Sequence, residues 1–479
     1  MLTNKGSSHS SYLGLWIGLV GILVGIFAGF LAGASPLLIA LPLFLVAVII
    51  WFFGKFEQAV IGLLILRSSL DLFSRQQVPA AFAIGVNALA LLYVVLMLLT
   101  GRSVRTDKFW WFFAGWMLLQ SMWIILLPLG GLGMDSSFLL DGIREWLRYF
   151  SWVMVYLLVM QLKGRVHPEK IISALLLSLI APITVALLQI FVPSSILPSL
   201  ITAQGKVGSN VSGTLGFPNG LGIFLTMFIG LVWWKLSISQ KRWTWWLLLA
   251  VIVFVFVNTG YLTGLLAILL LILLLNTAKI TPLRAIATII LCLAVLYLFN
   301  STEFGQQRLA GLYQTPLLNP DIDTSRAIIL SYGDSNSFNW RIAHWHYLLK
   351  AWSQFPIFGY GLDTSPELGI RHLSTGKGYE AHNDYIRALV EQGIVGLFIF
   401  VSFLISQGLY IVRLLRSSLP NSSRQTLCLI LIALFIANSV SMLASNILDA
   451  TTFYFYWWTL VAVAGWENGY WSKRLHLEE

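Results

Sequence analysis

Apolar runs of about 20 residues recur along this chain, and that is the length a helix needs to cross the hydrocarbon of a bilayer. They fall at about 12–33, 35–54, 57–70, 79–100, 108–128, 146–162, 168–192, 216–235, 243–258, 260–276 and 282–299, and again at 394–412, 425–444 and 451–467. The count is 12 to 14, because the run at 57–70 is short and two others meet directly at Asn258-Thr259-Gly260. The totals exclude an ordinary soluble domain: 58% of the 479 residues are hydrophobic and 10% are charged, against roughly a quarter charged in a typical globular chain. The expected fold is all-α, a polytopic helical membrane protein. The first run, from about Tyr12 to Ala32, is long enough to span and leads straight into the next. It therefore reads as a span and not as a cleaved leader.

Loop charges give the runs an orientation. Lys55, Arg102, Arg105, Lys108, Lys163, Arg165, Lys170, Lys235, Lys241, Arg242, Lys279, Arg284, Arg413, Arg416, Arg424, Lys473 and Arg474 all fall on one side of the alternation. By the positive-inside bias that side is the cytoplasm, which places both termini inside. The other side receives Asp71, Arg75, Asp135, Asp141, the 193–215 loop, the 300–393 interval and Asp449. The net charge of +10 is thereby accounted for largely by short loops, and nucleic acid is not an expected partner.

The 300–393 interval is far longer than a connection requires. Its Pro-bounded helical text predicts a small, mostly helical extracytoplasmic domain. The chain then divides into N-terminal spans (1–299), this loop domain (300–393), and C-terminal spans with a short cytoplasmic tail (394–479). Cys292 and Cys428 both lie in apolar runs and read as small hydrophobic residues, not as a disulfide or metal pair. No zinc, calcium or metalloprotease spacing occurs, so neither a metal nor a cofactor is expected.

Within the loop domain, chemistry-bearing residues concentrate between Asn339 and Gly396. A helix is predicted from about Asn339 to Gln354, ending before Pro356, with Arg341, Trp345, Leu348 and Trp352 at helical spacing. The aromatic row fits packing at the membrane interface; with the arginine added it also fits a platform for sugar and phosphate. Gly359 and Gly361 permit a turn and a close backbone approach. His382 and Asn383 stand where a further helix begins, with Asp384 and Tyr385 in its first turn and Gly393 closing it. That placement suits an anion at the helix start and a histidine general base. It also suits a simple capping asparagine. Upstream, Arg144 and Arg148 share one helical face at an outer span end, where basic residues run against the bias. Asp141 and Glu145 sit three residues before them and offer a self-neutralised alternative. The outer loop GKVGSNVSGTLGFPNG adds Lys206 and Asn219.

Taken together, the arginine-led helix, P-x-F-G-x-G-L and A-H-N-D-Y-x-x-x-L-V-E-x-G-x-x-G-L resemble the O-antigen ligase and polymerase family over roughly Gly213 to Gly408. The resemblance implies a bacterial inner-membrane glycosyltransferase with its large loop in the periplasm. It implies His382 and Arg341 as catalytic residues. Arg144, Arg148, Lys206, Asn219, Asn383, Asp384, Tyr385, Gly359 and Gly361 become candidates for holding diphosphate and substrate. The implied donor is a glycan on a polyprenyl diphosphate, passed to a lipid or glycan acceptor by metal-independent, inverting transfer. Membrane lipids and polysaccharide assembly proteins are the implied neighbours. Two departures stand out: Asn210-Val211-Ser212 and Thr259-Gly260-Tyr261-Leu262-Thr263-Gly264 occupy places where many relatives carry arginine. The rival readings are a solute (bicarbonate-like) transporter and a non-catalytic partner in polysaccharide export. A carrier places ionisable groups near the midplane of its spans, and most runs here carry none.

Overall fold

The computed structural model describes residues 46–202, 210–277, 300–330 apart from 302 and 317, 336–371 and 376–472, with isolated positions between 278 and 299. The expected spans at 12–33 and most of 35–54 and 282–299 lie outside the described residues, as does Lys206.

Helices account for the described architecture: α1 (Phe56–Leu70), α2 (Val78–Leu99), α3 (Lys108–Leu126), α4 (Leu139–Met160), α5 (Pro168–Leu177), α6 (Ile180–Phe191), α7 (Pro218–Ile238), α8 (Arg242–Val257), α9 (Leu262–Thr277), α10 (Glu303–Leu312), α11 (Thr324–Leu330), α12 (Ser337–Trp352), α13 (Asp384–Arg416), α14 (Ser423–Ser441) and α15 (Thr451–Ala464). Among the described residues six helical stretches are long and apolar enough to cross a membrane, counting Pro168–Phe191 as one. A seventh is reached if the bent pair Val46–Gly54 and Phe56–Gln76 forms one span. Several expected spans are shorter helices instead, including α8 and the central α15. The fold is an all-α polytopic membrane protein.

Capping chemistry sets many of the helix starts. Asp107 accepts from Trp110 N at 2.7 Å and opens α3; its other oxygen accepts from the hydroxyls of Tyr156 and Tyr410, at 2.7 and 3.1 Å. Proline stands at the first turn of α5 and α7, where its missing N–H is no loss. Asn383 and Ser422 cap α13 and α14.

The core is centred on α15, buried from Thr452 to Ala464 and packed against α4. Trp458 and Tyr456 are among the largest fully enclosed side chains. Around it, α3 packs on α4 and α13, while α7 and α9 pack on α14. The α2 helix leaves most of its surface outward, as a lipid-facing helix does. Cys428 is a buried free thiol. Residues 303–383 contribute α10, α11 and α12, and α12 packs on the start of α13.

Asp107→Ala removes a cap and the acceptor of two buried hydroxyls, and should lower unfolding free energy by about 1–2 kcal/mol. Thermal unfolding in detergent checks this, and Asp107→Asn, which keeps the capping oxygen, should recover most of the loss.

Candidate functional site

Helix α12 starts on Asn336, whose side chain accepts from Phe338 N at 3.0 Å. One turn in, Arg341 folds back so that Nη1 donates to Ser337 O at 3.0 Å. Trp345 Nε1 donates to Ala381 O at 2.7 Å, fastening α12 to the residue before His382. Trp340 completes the join, stacking on His344 (4.9 Å between ring centres) and meeting His382 edge-on at 5.4 Å. His344 is fully buried, and its Nδ1 accepts from Ile370 N at 3.0 Å. Sequence spacing put Arg341 and Trp345 on one row; it did not single out Trp340 or the inward turn of His344.

Both histidines are held neutral at ordinary pH. Burial pushes His344 down to about 4, against backbone groups of Glu380 and Tyr379 that favour its charged form. His382 is also pushed down to about 4, by burial first and then by the positive charge of Arg341 and the neighbouring His344. Its Nδ1 lies 3.4 Å from Asn446 Nδ2. Its backbone is left-handed, with φ of 50°, a strained setting for a residue with a side chain.

The rest of the His-Asn-Asp-Tyr motif is bonded inward. Asn383 accepts from Tyr385 N and Ile386 N at 3.0 and 3.1 Å. The Asp384 carboxylate accepts from Ile447 N and Leu448 N at 2.8 and 3.2 Å, and its own N–H donates to Met442 O. Tyr385 donates to Ser439 O at 2.9 Å. Asn383 caps α13, Asp384 fixes the turn at 442–450 and Tyr385 holds α14, which leaves His382 as the member of the motif that feels the charge of Arg341.

The glycine turn is a backbone lock. Gly359 has φ of 71°, and a Cβ there would lie 2.5 Å from Val390 O; one on Gly393, with φ of 68°, would lie 2.1 Å from Ile357 O. Tyr360 N and Gly361 N donate to Val390 O and Glu391 O at 3.1 and 2.8 Å. Gly393 therefore breaks α13 without closing it, and the helix resumes to Arg416.

One turn into α13 stands Arg387, which sequence reading passed over. Its side chain is 2% exposed and meets Glu391 (3.0 Å), Asp449 (2.6 Å), Asp363 (3.0 Å) and Glu145 (3.4 Å). Arg148 joins the same cluster through Glu145 and Asp449, at 2.8 and 2.7 Å. Two arginines thus face four carboxylates. Burial pushes Asp363 up to about 8 despite Arg387. Burial acts on Asp449 the same way, but Arg387 and Arg148 outweigh it and hold that carboxyl below its usual range. Glu380, two residues before His382, is raised to about 7 by burial and by Asp449. The sequence signals for the cluster are local: the i,i+3 spacing of Glu145 and Arg148 and the i,i+4 spacing of Arg387 and Glu391.

Asp449 and Arg148 also line a cavity of about 840 Å³. Arg67, Arg75, Arg144 and Arg148 supply basic walls; Ile84, Leu147, Phe453 and Phe455 supply apolar ones. Arg144 also pairs with Asp141 at 2.7 Å, so the self-neutralising pairs expected at 144 and 148 both form. Arg67 is buried, bonded to Asp71 at 2.6 Å and to the Thr451 hydroxyl at 3.1 Å. Neither Arg67 nor Arg75 was a sequence candidate, because each reads as a charge at a span end. Gly216, Phe217 and Gly220 form part of the cavity wall, next to Asn219 in the first turn of α7. That loop is pinned by Gln189, whose oxygen accepts from Ser212 N and Gly213 N at 3.1 and 2.9 Å.

Residues 247–401 match a family model described as O-antigen ligase. This supports an O-antigen ligase-family assignment. The ligase match runs from within α8 to within α13 and takes in Arg341, Gly359, Gly361, His382 and Arg387. The cavity arginines and the Gly213–Asn219 loop lie before it. No curated protein matches the chain.

Between pH 4 and 8 the folded protein holds a proton on Asp363 that the unfolded chain has released, so this group's stabilising contribution is lost as pH rises through about 8. Asp363→Asn should therefore gain in melting temperature relative to the parent as pH is raised from 5 to 8.5. A difference that stays flat, or changes in the opposite sense, contradicts the assignment.

Proposed function

We propose that the protein transfers a glycan from a polyprenyl-diphosphate carrier to a lipid or glycan acceptor at the periplasmic face of the inner membrane. The ligase-family match supports an O-antigen ligase-like role in polysaccharide biosynthesis. The observations that carry the finer reading are a neutral His382 that feels the charge of Arg341 and of Asp449, and a basic, apolar-walled cavity between helices that has Asp449 in its wall. A polyprenyl chain needs an apolar groove, its diphosphate needs cations, and the reacting sugar needs a proton acceptor nearby.

In this reading the lipid lies against Ile84, Leu147, Phe453 and Phe455, and the diphosphate lies against the arginines above them. Guanidinium groups suit phosphate oxygens through paired donors. The acceptor hydroxyl attacks the anomeric carbon from the side opposite the diphosphate, and the configuration inverts. The bond from that carbon to the phosphate oxygen breaks, and its electron pair leaves with the polyprenyl diphosphate. Side-chain cations stabilise that charge, so the step requires no metal. His382 takes the hydroxyl proton. Its neutral resting state makes the ring available, and Arg341 attracts the negative charge developing nearby. Arg67 and Arg75 stand in for the arginines missing at 210–212 and 259–264.

His382→Ala and Arg341→Ala should each abolish transfer from a lipid-linked oligosaccharide while leaving protein abundance unchanged; full activity in either variant sinks the assignment. Because His382 titrates near 4, its protonation should leave the rate flat between pH 5.5 and 8. An inflection near 6.5 in the parent profile that survives Glu380→Gln would contradict this. In a deletion strain, single repeats accumulate if the protein polymerises, and long unattached chains accumulate if it ligates.

A further inference from the structure

The segment Phe355–Phe358 follows α12 and leads into the glycine lock. Phe355, Ile357 and Phe358 are 42%, 57% and 37% exposed. Three large apolar side chains in a row, turned outward, are unusual on a surface meeting water. They continue the outward apolar face of α13, where Ile394, Phe398, Ile405 and Leu409 are exposed.

Hydrogen bonds fix the level of this segment. Phe358 O accepts from Trp123 Nε1 at 2.8 Å, and Pro356 O accepts from Ile394 N at 2.9 Å. Along α3, Trp123 stands about 22 Å from Lys108 at 1.5 Å rise per residue. Along the unbroken part of α13, Ile394 stands about 28 Å from Arg413. The hydrocarbon layer is about 30 Å thick. With Lys108 and Arg413 at one membrane surface, the segment sits at the opposite edge of the hydrocarbon and not above it.

Irregular backbone is tolerated at that depth only where its polar groups are satisfied by protein. Four successive carbonyls meet this condition. Pro356 O takes Ile394 N and Trp352 Nε1, Ile357 O takes Val395 N, Phe358 O takes Trp123 Nε1, and Gly359 O takes Gly133 N. Pro356 itself has no N–H to satisfy.

We propose that Phe355–Phe358, with Ile394, forms a lip embedded in the acyl chains of the membrane leaflet opposite Lys108. Its occupant is lipid, and it ties the loop region to a set height in the bilayer. Through the lock at Gly359 and Gly393 it sets the level of the first turns of α13 and hence of His382.

The test uses full-length protein in lipid nanodiscs, with Cys292 and Cys428 replaced by alanine and a nitroxide attached at Ile357→Cys. Collision with oxygen, which concentrates in hydrocarbon, is compared with collision with a water-soluble nickel chelate. Phe398→Cys provides the lipid reference and Arg371→Cys the aqueous one. The expected result is several-fold greater access by oxygen than by nickel at position 357, as at 398. Behaviour like position 371 overturns the proposal. Shielding from both reagents also overturns it, and spin–spin broadening in that case identifies a second copy as the cover. Phe355→Cys repeats the measurement if the Ile357 variant does not fold.

Discussion

Everything near the proposed site depends on one buried guanidinium. Arg387 draws together α4 through Glu145, the loop after the glycine turn through Asp363, its own helix through Glu391, and the turn before α15 through Asp449. A buried arginine is costly unless each of its donors is met, and deleting one partner of such a set costs about 3–5 kcal/mol. The cluster is thus a poor source of net stability and a strong source of specificity: only one arrangement of four segments satisfies it. In that arrangement Asp449 forms part of the basic cavity's wall and its charge acts on His382.

The same junction explains why Arg148 and Arg144 differ although they are one helical turn apart. Arg148 belongs to the cluster as well as to the cavity wall, held between Glu145 and Asp449. Arg144 is 73% exposed and bonded to Asp141, so it is a rim charge that water screens. Two further cavity cations come from α1 and the turn after it: Arg67 is buried and Arg75 is exposed. A donor diphosphate entering there would meet charges supplied by a helix outside the matched ligase segment.

The sequence was most informative where physics is local. Apolar length predicted membrane helices, Asn383 was a readable cap, and i,i+3 spacing predicted both Arg144–Asp141 and Arg148–Glu145. It was least informative where partners are distant. Arg387 and Asp449 are far apart in the chain, so nothing local marks their bond. Asp384 was readable as a first-turn residue, but its hold on Ile447 N and Leu448 N was not. Gly393 read as a helix end; the resumption of α13 depends on Ile357, which no local rule connects to it. The helices at 242–257 and 451–464 were legible as apolar runs, but their shortness and the deep burial of α15 were not.

The central claim is that the basic cavity and the Arg341–His382 pair serve one substrate from its two ends. A structure of the protein in lipid with a polyprenyl-diphosphate oligosaccharide bound tests this most directly. The account predicts the diphosphate against Arg67, Arg75 and Arg148, the isoprenoid along Ile84 and Phe453, and the first sugar pointing to His382. A diphosphate held elsewhere, with the cavity filled by bulk lipid, would contradict it.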